Sequence, residues 1–164
     1  MTMSRARMLL TVFLSVGAIG SSCTPPSIES QVSGATRLDP AHRRWTKEMV
    51  VTANDAALHG GGRFIVGLSY QSQWSEGNHE GPDVDGRLIR LDDLAADARA
   101  RFDSRGGCTG PDCVGRYRIS FRWLPELTTG SVDISWAVSG IVLFEDVPVV
   151  DEAEVSVEVV AEDL

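Results

Sequence analysis

Oxygen-bearing side chains crowd into residues 75–86, which read SEGNHEGPDVDG and supply Glu76, Asn78, His79, Glu80, Asp83 and Asp85. Carboxylates at this density suit a hard cation such as calcium. The run Asp83-Val84-Asp85-Gly86, followed by Asp92, echoes the tail of a calcium loop and makes Glu80, Asp83 and Asp85 the candidate ligands. Gly81 stands where that loop should supply its first carboxylate, so a cation would need another geometry. Turn formation by Gly, Pro, Asn and Asp accounts for the same residues. Trp74 precedes the stretch, and with Tyr70, Asn78 and Asp83 it would form an aromatic and polar platform of the kind that holds a glycan. The alternative duty for Trp74 is to close a core at the rim of a sheet.

Other reactive residue types do not assemble into catalytic patterns. His42, His59 and His79 lie far apart with no metal-binding HExxH spacing. The nearest approach to a nucleophile elbow, Gly67-Leu68-Ser69-Tyr70-Gln71, fails at its last position. The pairs Asp92/Asp93 and Asp151/Glu152 are adjacent, so their carboxylates would point apart on a strand or helix. No catalytic residue is assigned and no cofactor is required, calcium being the one candidate. An exported hydrolase, the remaining enzymatic alternative, would need His59 or His79 gathered with a carboxylate and a hydroxyl in a cleft.

The start of the chain carries an address. Arg5 and Arg7 precede the apolar run 8–19, MLLTVFLSVGAI, which is long enough for export and shorter than the roughly 20 residues that span a bilayer. Gly20, Ser21 and Ser22 then lead to Cys23. This resembles the lipobox of bacterial lipoproteins, in which small residues precede a cysteine that becomes lipid-modified and, after cleavage, the new N-terminus. Gly20 stands where that family usually has an aliphatic residue. The resemblance implies a signal peptide over 1–22, an acylated (palmitate-bearing) Cys23, and a protein held at the bacterial cell envelope. Thr24, not an acidic residue, follows the cysteine, which favours the outer membrane. In an exported chain Cys108 and Cys113, enclosing Thr-Gly-Pro-Asp, are expected to pair as a local disulfide; a redox pair would have two intervening residues, not four.

Without Arg5 and Arg7 the chain keeps 13 basic residues against 23 acidic ones, a formal charge of −10. That balance excludes nucleic acid as a partner and disfavours attraction to anionic lipid, leaving the lipid anchor as the membrane bond and an envelope protein or a glycan as the partner. Residues 23–44 hold Pro25, Pro26 and Pro40 among small polar residues without periodicity, and are expected to be a flexible tether spanning roughly 23 Å. Residues 45–164 then form one domain.

That domain must be mostly β. Apolar and polar residues alternate with period two over 63–74, where Phe64, Val66, Leu68, Tyr70 and Trp74 share a face, and over 116–123, where Tyr117, Ile119, Phe121 and Trp123 oppose Arg116, Arg118, Ser120 and Arg122. Further strands are expected over 49–52, 87–91, 131–138, 141–145 and 152–160. Thr128-Thr129-Gly130 reads as a hairpin connection and Ser139-Gly140 as a bulge or bend. One short helix is expected over 91–102, with Asp92 or Asp93 at its start. The arginine row 116, 118 and 122 should lie opposite Glu154 and Glu158 on the last strand. The pattern favours an antiparallel β-sandwich of immunoglobulin-like architecture, with a small β-barrel as the alternative.

Overall fold

The period-two pattern builds two antiparallel sheets in the computed structural model, which describes residues 25–75, 84–94, 98–123 and 130–160. The strands are β1 (Ser27–Leu38), β2 (Arg44–Ala53), β3 (Arg63–Trp74), β4 (Val84–Arg90), β5 (Arg101–Phe102), β6 (Cys108–Thr109), β7 (Gly115–Trp123), β8 (Val132–Leu143) and β9 (Val155–Val159); one short helix, α1, covers Asp55–His59. They form a five-stranded sheet in the order β1-β8-β3-β6-β5 and a four-stranded sheet in the order β4-β7-β2-β9. The fold is a sandwich of two separate sheets, and the barrel alternative does not form.

Between the sheets lies the core that the alternation forecast. One sheet contributes Phe64, Val66, Val132, Ile134, Trp136, Val138 and Val142, and the other Met49, Val51, Tyr117, Ile119, Phe121 and Trp123, all buried. Tyr117 satisfies its hydroxyl within that core by donating to the Cys113 carbonyl four residues upstream at 2.7 Å, an arrangement resembling the tyrosine corner of Greek-key sandwiches. Cys108 and Cys113 are disulfide-bonded and buried, so the bridge pins β6 to the turn ahead of β7.

Both seams between the sheets are stitched by backbone groups that an open edge would leave bare. On one side the Val157 amide of β9 donates to Ser30 Oγ of β1 at 3.1 Å. On the other the Leu88 amide of β4 donates to the Arg105 carbonyl at 2.8 Å.

Several expectations need correction. Residues 27–38 are not tether. They form β1, paired along its length with β8. The strand was hard to read because three of its inward positions, Ser30, Gly34 and Thr36, are small or polar and interrupt the apolar Ile28, Val32 and Leu38. Gly34 is small because a Cβ there would stand 2.6 Å from Trp136 Cζ2, and Ser30 is polar because it caps β9. The domain therefore starts about 18 residues earlier than position 45.

The helix expected over 91–102 is absent among the described residues of that segment, which run irregularly into β5. Its residues are held by partners outside the segment: Asp92 accepts the Arg116 amide, and the Arg99 amide donates to Asp112. The helix that does form, α1, was not expected; it starts where Asn54 Oδ1 caps the Ala57 amide at 2.9 Å while its Nδ2 donates to the Glu152 carbonyl. Ser139-Gly140 is no bulge; β8 runs unbroken from Val132 to Leu143, and Gly140 is small because a Cβ would lie 2.8 Å from Val155 Cγ1 across the sandwich. Finally, β7 and β8 belong to different sheets and do not pair as a hairpin; Thr128 and Thr129 lie outside the described residues.

Candidate functional site

The register fixes two ends of the sandwich. β1, β3 and β7 leave the end that holds Pro25, α1 and the link between β8 and β9, and they arrive at the end that holds Asp39–His42, Ser75 and Val84. The oxygen-rich stretch thus begins and finishes at the end remote from Pro25. There, Ser131 Oγ donates to Ser75 Oγ at 2.9 Å, and the Trp123 amide donates to the Arg43 carbonyl. Asp39 organises the neighbouring turn, accepting the amides of Ala41 and His42 at 2.8 and 2.7 Å. Those bonds, the His42 amide first, hold its carboxyl below the usual range.

Glu76, Asn78, His79, Glu80 and Asp83 lie outside the described residues, as does Cys23. The described members of the proposed platform are half-buried and pack against facing rings. Tyr70 faces inward, its ring edge-on to Phe121 at 5.2 Å, and its hydroxyl reaches the Val84 carbonyl at 3.4 Å. Trp74 packs edge-on against Trp123 at 5.1 Å, the rim duty that its position allowed. Asp85, a candidate calcium ligand, directs Oδ2 to two guanidiniums, Arg87 at 3.1 Å and Arg122 at 3.4 Å. Among the described residues no three His, Cys, Asp or Glu side chains converge on a point that could hold a metal ion.

Of the histidines, His59 ends α1 with Nδ1 3.0 Å from Asp55 Oδ1, both exposed. An open depression of about 330 Å³ lies near the disulfide, bordered by Arg90, Asp93, Arg99 and Asp112, and its described lining has no histidine, serine or threonine. Arg90 does not project freely into it, because Nη1 donates to the Asp112 carbonyl at 2.7 Å.

Alternation also creates the outer face of the four-stranded sheet, where the structure gathers more charge than sequence reasoning found. Arg116, Arg118 and Arg122 of β7 share this face with Arg44, Glu48 and Val50 of β2, Asp85, Arg87 and Ile89 of β4, and Glu158 of β9, as the pairings Arg44↔Arg122, Glu48↔Arg118, Ile89↔Arg118 and Val50↔Glu158 require. The partner expected for the arginine row was the last strand, but β9 pairs with β2 instead. The carboxylate between the arginines is Glu48, whose oxygens lie 2.9 Å from Arg116 and 2.7 Å from Arg118. The Arg118 hydrogen bond, aided by the charges of Arg118 and Arg116, holds the Glu48 carboxyl below the ordinary glutamate range against a smaller opposing effect of burial. Arg44 has no ion-pair partner among the described residues. Arg44 and Arg87 were legible in principle, since each alternates with a buried or half-buried neighbour, yet only strand order could place them beside β7.

On the five-stranded sheet the matching outer face is nearly neutral. Its centre is Gln31, Ser33, Ala35, Ser135, Ala137, Ser139, Gly67, Ser69 and Gln71, with one bidentate pair at its margin, Arg37 to Asp133 at 2.6 and 2.8 Å. The Arg37 hydrogen bond keeps the Asp133 carboxyl below its usual range.

Compared with family models, curated proteins and solved structures, the chain matches none.

Proposed function

We propose that this protein is a bacterial lipoprotein whose β-sandwich, held to the envelope through an acylated Cys23, binds another protein or supports structure and performs no catalysis. The observation that carries the reading is the position of Cys23 between an apolar export segment and the first strand of the domain. Pro26 is already part of the fold, its carbonyl accepting the Phe144 amide at 2.9 Å. Two Cα steps separate Cys23 from Pro25, so the anchor reaches at most about 7.6 Å from the sandwich.

The consequence differs from that of a long tether. Anchored at this point, the domain would rest its Pro25 end near the headgroups and carry the remote loops outward. Glu145, Asp146, Asp151 and Glu152 lie at the near end and would be repelled by an anionic leaflet, which leaves the acyl chains as the attachment. An outer-membrane address follows from Thr24, and the partner is an envelope protein.

Mass spectrometry of the membrane-extracted N-terminus tests this directly. Acyl groups on Cys23 are expected, and Cys23→Ser should release the protein to the soluble fraction. A Cys23→Ser form that still sediments with membranes would overturn the anchor.

A further inference from the structure

We propose that the outer face of the four-stranded sheet is a docking surface for a protein partner with an acidic surface. This deepens the protein-binding half of the reading above by naming the face and the chemistry it recognises.

Charge is the first argument. The chain as a whole is acidic, with a formal charge of −8, yet this face carries Arg44, Arg87, Arg116, Arg118 and Arg122 against only Asp85, Glu48 and Glu158. The excess is local and positive. It is also arranged for use: Glu48 is shared by Arg116 and Arg118, and Asp85 by Arg87 and Arg122, so each carboxylate fixes two guanidiniums while leaving most of their N–H donors unspent. A guanidinium has five such donors in a fork that matches a carboxylate, and one already held in place loses little freedom on binding.

Apolar surface is the second argument. Ile89 is 43% exposed on β4, directly opposite Arg118 and two positions from Arg87, whereas most large apolar side chains of the domain are covered. An aliphatic contact ringed by arginines is the anatomy of a protein interface, where arginine is enriched and a few central side chains dominate. Four strands about 4.8 Å apart and rows about 6.8 Å apart give a patch of roughly 450 Å², the size of a weak or transient interface.

A leaflet fits this face less well. The strands run away from Pro25, so an anchor at Cys23 sets the face upright on the membrane, with the acidic end between it and the headgroups. Cross-strand stabilisation alone would account for the four ion pairs, but it has no use for Arg44, which has no ion-pair partner among the described residues, or for the exposed part of Ile89.

The test places a photo-crosslinking amino acid at position 89 of the full chain in its native host, with position 137 on the opposite sheet as control. One discrete protein adduct from position 89 and none from 137 is expected, with the crosslink mapped to a net-acidic segment of the partner. Arg44→Glu, which leaves every ion pair intact, combined with Arg87→Glu, should cut the adduct by about tenfold. If the double variant fails to fold, Arg44→Glu alone should still lower the yield severalfold. Lipid-only adducts, a second copy of this chain, equal yields from both positions, a non-acidic target segment or no adduct would each overturn the docking face. The same samples are checked for acylated Cys23: loss of acylation with a persistent adduct sinks the anchor alone, and normal acylation without an adduct sinks the docking face alone.

Discussion

Replacing glycine by alanine at two strand positions should move stability in opposite directions. Gly86 faces inward on β4, and a Cβ there would stand 2.6 Å from Tyr70 Cε1, 2.7 Å from Phe121 Cε1 and 2.8 Å from Tyr70 Cζ. Neither ring can step aside. They lock each other at 5.2 Å and 67°, the Tyr70 hydroxyl is tied to the Val84 carbonyl, and fully buried Phe121 stacks on Trp45 at 5.8 Å. Forcing a methyl into such a contact costs about 1–3 kcal/mol, and the stiffer unfolded chain returns only about 0.4–1 kcal/mol. Gly86→Ala should therefore destabilise by about 1–2 kcal/mol. Gly67 sits mid-strand on the outer face of β3 with nothing within 4 Å of its would-be Cβ. There only the unfolded-state effect survives, so Gly67→Ala should stabilise by about 0.4–1 kcal/mol. Urea unfolding followed by tryptophan fluorescence reads both as shifts of midpoint at unchanged slope. Midpoints that move the same way, or a Gly86→Ala midpoint that does not fall, would refute the claim that ring contact sets the sheet spacing at this point.

Other expectations follow from single contacts. Cys108→Ala with Cys113→Ala should cost about 2 kcal/mol, the entropy of so short a loop, and leave far-ultraviolet circular dichroism unchanged. Ser30→Ala leaves the Val157 amide without its acceptor, so a loss of about 0.5–1.5 kcal/mol and faster hydrogen exchange at Val157 are expected. Glu48 and Asp133 have folded pKa values below their unfolded ones; their stabilisation is present above the unfolded carboxylate range and is lost as pH falls through the folded values. The urea midpoint should fall below about pH 4, less steeply in Glu48→Gln. Burial raises the Tyr117 pKa, so the unfolded chain ionises first and stability should decline above about pH 10, a decline that Tyr117→Phe removes.

How far the sequence could be read depended on how strongly each segment's side chains declared a face. β3 and β7 declared theirs, and the expected 63–74 and 116–123 match the observed strands within a residue. β1 did not, because Gly34 must be small to fit over Trp136 and Ser30 and Thr36 are polar, which breaks the hydrophobic period set by Ile28, Val32 and Leu38. The segment 91–102 showed helical spacing, but Leu91, Asp92 and Arg99 are held by bonds to Arg116 and Asp112, which no local pattern can show. The rim position of Trp74 has a related cause: alternation put Tyr70 and Trp74 on the inward face of β3 from the start, and each packs against a facing ring across the sandwich.

By itself, then, the amino-acid order determined the β character, the core-facing residues of the strongest strands, the pairing of Cys108 with Cys113 and the acidity of the whole, all properties of neighbours along the chain. Tertiary structure alone decided which strand lies beside which. It thereby turned Pro25–Leu38 from linker into fold, gave Arg116 and Arg118 to Glu48 instead of the last strand, and collected a basic face on an acidic molecule. The physical reason is that strand order is set by burying whole faces against each other, and the energy of that burial is shared among residues more than a hundred positions apart.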